Sequence, residues 1–111
     1  MGKEKKARMS REQFQTLTEP MYYILLALMK ECCGVDIMDK VEKLSSGRVK
    51  VGPGTLYAML SKFEENEVIR RTKEEGRKKW YRITDTGLQM LMREYERLQI
   101  MVEDGKRYFM E

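Results

Sequence analysis

Histidine is absent from the 111 residues, which removes the commonest general base and the commonest transition-metal ligand at neutral pH. Cysteine is nearly absent, and the two that occur, Cys32 and Cys33, are neighbours. Adjacent thiols lack the two-residue gap of a zinc knuckle and cannot staple distant segments together. A redox-sensing thiol pair stands open beside the plainer reading of two small residues buried at a helix end. Without histidine, and with no cysteine beside a suitable base, no nucleophile constellation can be assembled, so no enzyme is expected. The longest apolar run, Met21 to Met29, falls well short of the ~20 residues that span a bilayer. The opening MGKEKKARMS has no apolar signal core, and Lys6 stands where an N-myristoylation motif needs Ser or Thr. The expectation is a cytoplasmic protein in a reducing setting, with no membrane, metal or cofactor.

What is present is charge. Charged residues make up 36% of the chain, and 22 Lys+Arg against 18 Asp+Glu leave a formal charge of +4. That balance permits nucleic-acid binding without demanding it, so the distribution along the chain decides. A chain this short supports a single core. So charged a composition makes that core thin, and pairing with a second copy is one way to complete it.

Residues 1–15 carry Lys3, Lys5, Lys6, Arg8 and Arg11 and read as a basic arm or short helix. Thr18-Glu19-Pro20 signals a helix start. The helix behind it, expected from about Glu19 to Cys32 with Gly34 as its stop, is apolar nearly all round and so buried on more than one side. A second helix, about Asp36 to Leu44, buries Ile37, Val41 and Leu44; Arg48 to Val51 then alternates like a short extended segment. Gly52-Pro53-Gly54-Thr55 turns into a third helix reaching about Asn66, with Leu56, Met59, Leu60 and Phe63 inward. Val68–Lys73 and Lys78–Ile83 form a hairpin, with Tyr81 and Ile83 facing the core. Thr84 caps a last helix whose apolar positions are Leu88, Leu91, Met92, Tyr95, Leu98 and Val102.

Three helices, a two-stranded hairpin and a helix follow the order of a winged helix-turn-helix, a mainly α arrangement with a small β element. On a helical wheel the third helix turns Gly54, Ala58 and Ser61 away from its core stripe, with Lys62 and Tyr57 flanking. Small side chains there would let backbone and bases approach, while Thr55, Tyr57, Ser61 and Lys62 offer donors. A surface helix with small residues by chance is the plainer alternative. The hairpin weighs against it: Arg70, Arg71, Lys73, Arg77, Lys78, Lys79 and Arg82 are countered only by Glu74 and Glu75. A wing lying along phosphates accounts for such an excess, because each neutralised phosphate releases counterions. Trp80 among those cations reads as packing before stacking.

LTEPMYYILLAL (Leu17 to Leu28), GRVKVGPGTLYAMLSKFEENEVI (Gly47 to Ile69) and RKKWYRITDTG (Arg77 to Gly87) resemble the PadR family of bacterial transcriptional regulators, in its short form with one long terminal helix. The likeness runs from about residue 14 to 104. It implies a winged helix-turn-helix over 16–84 and a C-terminal dimerisation helix over 85–111. It also implies a homodimer on pseudo-palindromic double-stranded operator DNA, repressing transcription, with a small aromatic or hydrophobic effector relieving it in many members. By position, Pro53, Thr55, Tyr57 and Lys62 fall on the family's recognition helix and the basic residues Arg77, Lys78 and Lys79 on its wing; Gly54, Ala58 and Ser61, from the small outer face, complete the expected DNA-contacting set. Leu88, Leu91, Met92, Tyr95, Leu98 and Val102 would form the dimer interface. Some drug-binding members carry a tryptophan on the terminal helix; this chain has none there. A winged-helix adaptor that binds protein rather than DNA is the alternative function.

Overall fold

Thr18 opens the first helix: its hydroxyl accepts from the Met21 N–H at 3.3 Å, and Glu19 and Pro20 occupy the first turn. The computed structural model describes residues 16–111; the basic arm expected over 1–15 lies outside them. Helix α1 (Glu19–Ala27) is shorter than its apolar run suggests. Cys32–Cys33 leaves it to form strand β1, and Gly34, expected as a stop, instead begins α2 (Gly34–Leu44). The helix yields because the two cysteines gain distant partners, Cys32 opposite Tyr81 and Cys33 opposite Trp80. Helix α3 (Pro53–Glu65), strands β2 (Ile69–Glu75) and β3 (Lys78–Ile83), and helix α4 (Asp85–Phe109) follow. The sheet is antiparallel in the order β1-β3-β2, with a bulge between Arg71 and Lys73. The hairpin closes through Gly76 and Arg77, Gly76 taking the positive φ of 61° that a two-residue turn asks of glycine.

One core joins all of these elements. Ile24, Leu25 and Leu28 meet Ile37 and Val41 of α2, Leu56, Leu60 and Phe63 of α3, Tyr81 and Ile83 of β3, and Leu91 of α4. Two expectations change. Leu44 is 47% exposed, and its neighbour Ser45 is buried in its place. Ser45 ends α2, accepting the Val49 N–H on its hydroxyl at 2.9 Å and donating to the Glu42 carbonyl at 3.2 Å. Residues 48–51 form no strand, although Val49 and Val51 are buried.

The departure of α4 is fixed at both flanks. Thr84 caps it, accepting from the Gly87 N–H at 3.0 Å while its hydroxyl donates to the Val68 carbonyl at 2.9 Å. Further along, Glu94 is 1% exposed. It accepts the Leu17 N–H at 3.3 Å and is held by the Arg97 guanidinium at 2.6 and 2.9 Å. The bonds to Arg97, with help from the Leu17 N–H, hold its carboxyl below the ordinary 4.5 although burial opposes them. A lowered folded-state value means the tie stabilises fully above the ordinary carboxylate range and is lost as pH falls through the folded value. We expect acid to lower the melting temperature of the wild type through that window. Glu94→Gln should lower it at neutral pH by the equivalent of about 2 kcal/mol and flatten the acid dependence. Parallel melting curves for the two proteins from neutral to acid pH would show that Glu94 contributes nothing to the acid dependence.

Candidate nucleic-acid interface

Gly52 precedes α3 as its N-cap and Pro53 takes the first helical position, where a missing N–H is no loss. The helix buries Leu56, Leu60 and Phe63, with Met59 half-buried. The residues expected on the reading face are all exposed: Pro53, Gly54, Thr55, Tyr57, Ala58, Ser61 and Lys62. A Cβ placed on Gly54 would meet nothing within 4 Å, so this face is open as well as small.

The wing cations divide into two groups. Arg71 is committed to structure, 3.4 Å from the Glu64 carboxylate at the end of α3 and 3.1 Å from Glu74. The Glu64 charge is the main cause holding its guanidinium protonated more firmly still. Lys73 lies 4.6 Å over the Trp80 ring, which gives the tryptophan a packing role. Arg77, Lys78 and Lys79 at the tip, and Arg70 and Arg82 at the base, form no ion pair among the described residues.

Tyr57 brings helix and wing together. It borders a hollow of about 160 Å³ with Arg77, Lys78 and Lys79 of the wing, Tyr81 beneath, and Gly34 and Val35 at the start of α2. Sequence reasoning singled out four of these residues as expected DNA contacts; Gly34, Val35 and Tyr81, which line the same hollow, were not among them. Gly34 was read as a helix stop and Tyr81 as core, which it also is at 5% exposure. Burial pushes the Tyr81 phenol above its ordinary 10.0 and keeps it neutral. The Cys32 thiol is likewise pushed above 9.0, chiefly by burial. A buried neutral thiol is a poor nucleophile, and Cys33 beside it is buried too.

On α4, Leu91 is buried in its own chain and Leu88 packs against the same core. Leu98 is half-buried, while Met92, Tyr95 and Val102 are exposed. The apolar surface continues through Ile100, Met101, Tyr108 and Phe109, the last 87% exposed. No helix among the described residues is long and apolar enough to cross a membrane, and no cluster of three or more potential metal ligands occurs among them.

A helix-turn-helix of α2 and α3 backed by a β-hairpin wing is the winged helix architecture. The pattern of the transcriptional regulator PadR-like family matches residues 24–93, and the chain belongs to that family. It is 30% identical over 70 residues to the transcriptional regulator YqjI of Escherichia coli K12 and to the uncharacterized YqjI of Shigella flexneri, 63% of this chain in each case. The chain spans about a third, 34%, of the length of these curated relatives. Among solved structures, a transcriptional regulator from Clostridium thermocellum superposes with a TM-score of 0.67 at 21% identity, covering 78% of this chain and 89% of that one. The complex structure of hsRosR-S1 superposes at 0.59 and 19% identity, covering 84% and 95%. At such identities these two share the fold.

Proposed function

We propose that the protein is a cytoplasmic, homodimeric transcriptional repressor that binds pseudo-palindromic double-stranded operator DNA. In this reading residues 16–84 read the DNA and residues 85–111 pair the subunits. The observation that carries it is the juxtaposition of a bare, exposed α3 face with wing-tip cations that form no ion pair among the described residues. The α3 face suits the major groove, and the wing suits the sugar-phosphate backbone. Pairing is supported by the apolar surface of α4 from Met92 to Phe109, which its own domain leaves open. A small hydrophobic effector enters this reading only through the family likeness; the hollow of about 620 Å³ along α4 is lined by Glu96, Gln99, Ile100, Glu103, Asp104 and Arg107.

The wing should supply affinity more than sequence choice. Lys78→Ala with Lys79→Ala is expected to weaken operator and random duplex alike. It should also flatten the dependence of log affinity on log salt by about one unit per lost phosphate contact per subunit. An unchanged slope would mean that these lysines face only solvent.

A further inference from the structure

The hollow beside Tyr57 draws on three separate segments. Tyr57 comes from α3, Gly34 from the start of α2, and Arg77, Lys78 and Lys79 from the wing tip. At about 160 Å³ it has room for one oxyanion group with a water or two, given ~30 Å³ per water. Pockets for drug-sized ligands begin near ~300 Å³. Its polar lining is one-sided: three cations and two phenols, and no carboxylate.

Gly34 explains why the space exists. Its φ is outside the left-handed range, so the backbone does not demand glycine. A Cβ there would lie 3.4 Å from Tyr57 Cε1 and 3.5 Å from the Tyr57 hydroxyl oxygen. That is room for a methyl group and no more; a larger side chain would displace the Tyr57 ring or fill the hollow. Behind the floor, Glu64 and Glu74 already hold Arg71. The cations left to meet a ligand are therefore those of the tip.

We infer that this hollow seats a single backbone phosphate of duplex DNA. The Tyr57 hydroxyl donates to a non-bridging oxygen, Arg77, Lys78 and Lys79 neutralise the charge, and Gly34 is a binding-site residue because it leaves the room. The inference rests on the DNA-binding reading and deepens it. It assigns Tyr57 to the backbone rather than to a base edge, and makes one phosphate the link that sets the wing against the recognition helix.

The test compares wild type, Tyr57→Phe and Gly34→Val. Each is titrated with an operator duplex selected from a random pool and with a random-sequence duplex, across a salt series, with thermal melting alongside. Tyr57→Phe keeps the ring over Gly34 and removes only the donor. It should weaken both duplexes roughly tenfold and leave the salt slope unchanged. Gly34→Val should weaken both and reduce the slope by about one unit per subunit, with little change in melting. If Tyr57→Phe weakens the operator alone, the hydroxyl reads a base and the phosphate seat is wrong. Wild-type affinity and slope in a well-folded Gly34→Val would equally overturn it; should that variant melt early, Tyr57→Phe decides alone. A wild type that binds neither duplex would contradict the DNA-binding reading itself, before any variant is measured.

Discussion

Ala58→Glu is expected to abolish operator binding while leaving the protein folded. Ala58 is exposed at the middle of α3, and the buried stripe of Leu56, Leu60 and Phe63 lies behind it. Alanine and glutamate both favour helix, and a surface change away from special features moves stability by only about ±0.5 kcal/mol. The effect on binding is of another order. A carboxylate on the face that enters the groove blocks close approach and confronts phosphate and base acceptors. Like-charge juxtaposition at an interface costs several kcal/mol, so affinity should fall about a hundredfold or more. Melting and operator titration on the same preparation check it. A variant that melts normally and binds at wild-type affinity would mean that another surface reads the DNA.

Gly87→Ala should be the most damaging alanine substitution among the described glycines. A Cβ at Gly87 would stand 2.1 Å from the Val68 carbonyl oxygen and 2.8 Å from Ile83 Cγ1. The first obstacle is backbone, and the Thr84 N–H and hydroxyl both hold that carbonyl, so it cannot step aside. The first turn of α4 must move off the sheet or the hairpin must open. A cost above about 3 kcal/mol follows, which in a domain of this size lowers the melting temperature by more than about 10 °C. Gly54→Ala is the control, since its Cβ would meet nothing within 4 Å. If Gly87→Ala melted within a few degrees of wild type, the α4 junction would have to be far softer than its contacts indicate.

Legibility in the sequence followed the range of the forces involved. Helix α3 and the hairpin were legible because their signals are local: Pro53 at the first turn, Leu56, Leu60 and Phe63 at helical spacing, and alternation through Tyr81 and Ile83. The end of α1 was not. Whether Cys32 and Cys33 continue a helix or join a sheet depends on Tyr81 and Trp80 far along the chain. Glu94 shows the same limit. It falls among the inward positions of α4, and although Arg97 three residues on pairs with it, its other partner, the Leu17 N–H, lies 77 residues away and shows only in the fold. The α3 half of the proposed interface was read correctly as surface, whereas the hollow was not foreseen, because its defining residue is a glycine that matters for the side chain it lacks. On α4 the apolar pattern was legible but its division was not. Where the chain's own core stops, past Leu91, is set by the length of the other elements and not by α4.

The central claim is that two copies of this chain place two α3 helices on one face of a duplex. The direct measurement is a backbone footprint on an operator selected from a random pool, with the mass of the complex determined by light scattering. Two chains per duplex and two protected half-sites centred about 34–36 Å apart, one turn of the double helix, are the expected result. A single chain per duplex with one uninterrupted patch, or no protection at a salt concentration that permits binding, would contradict it.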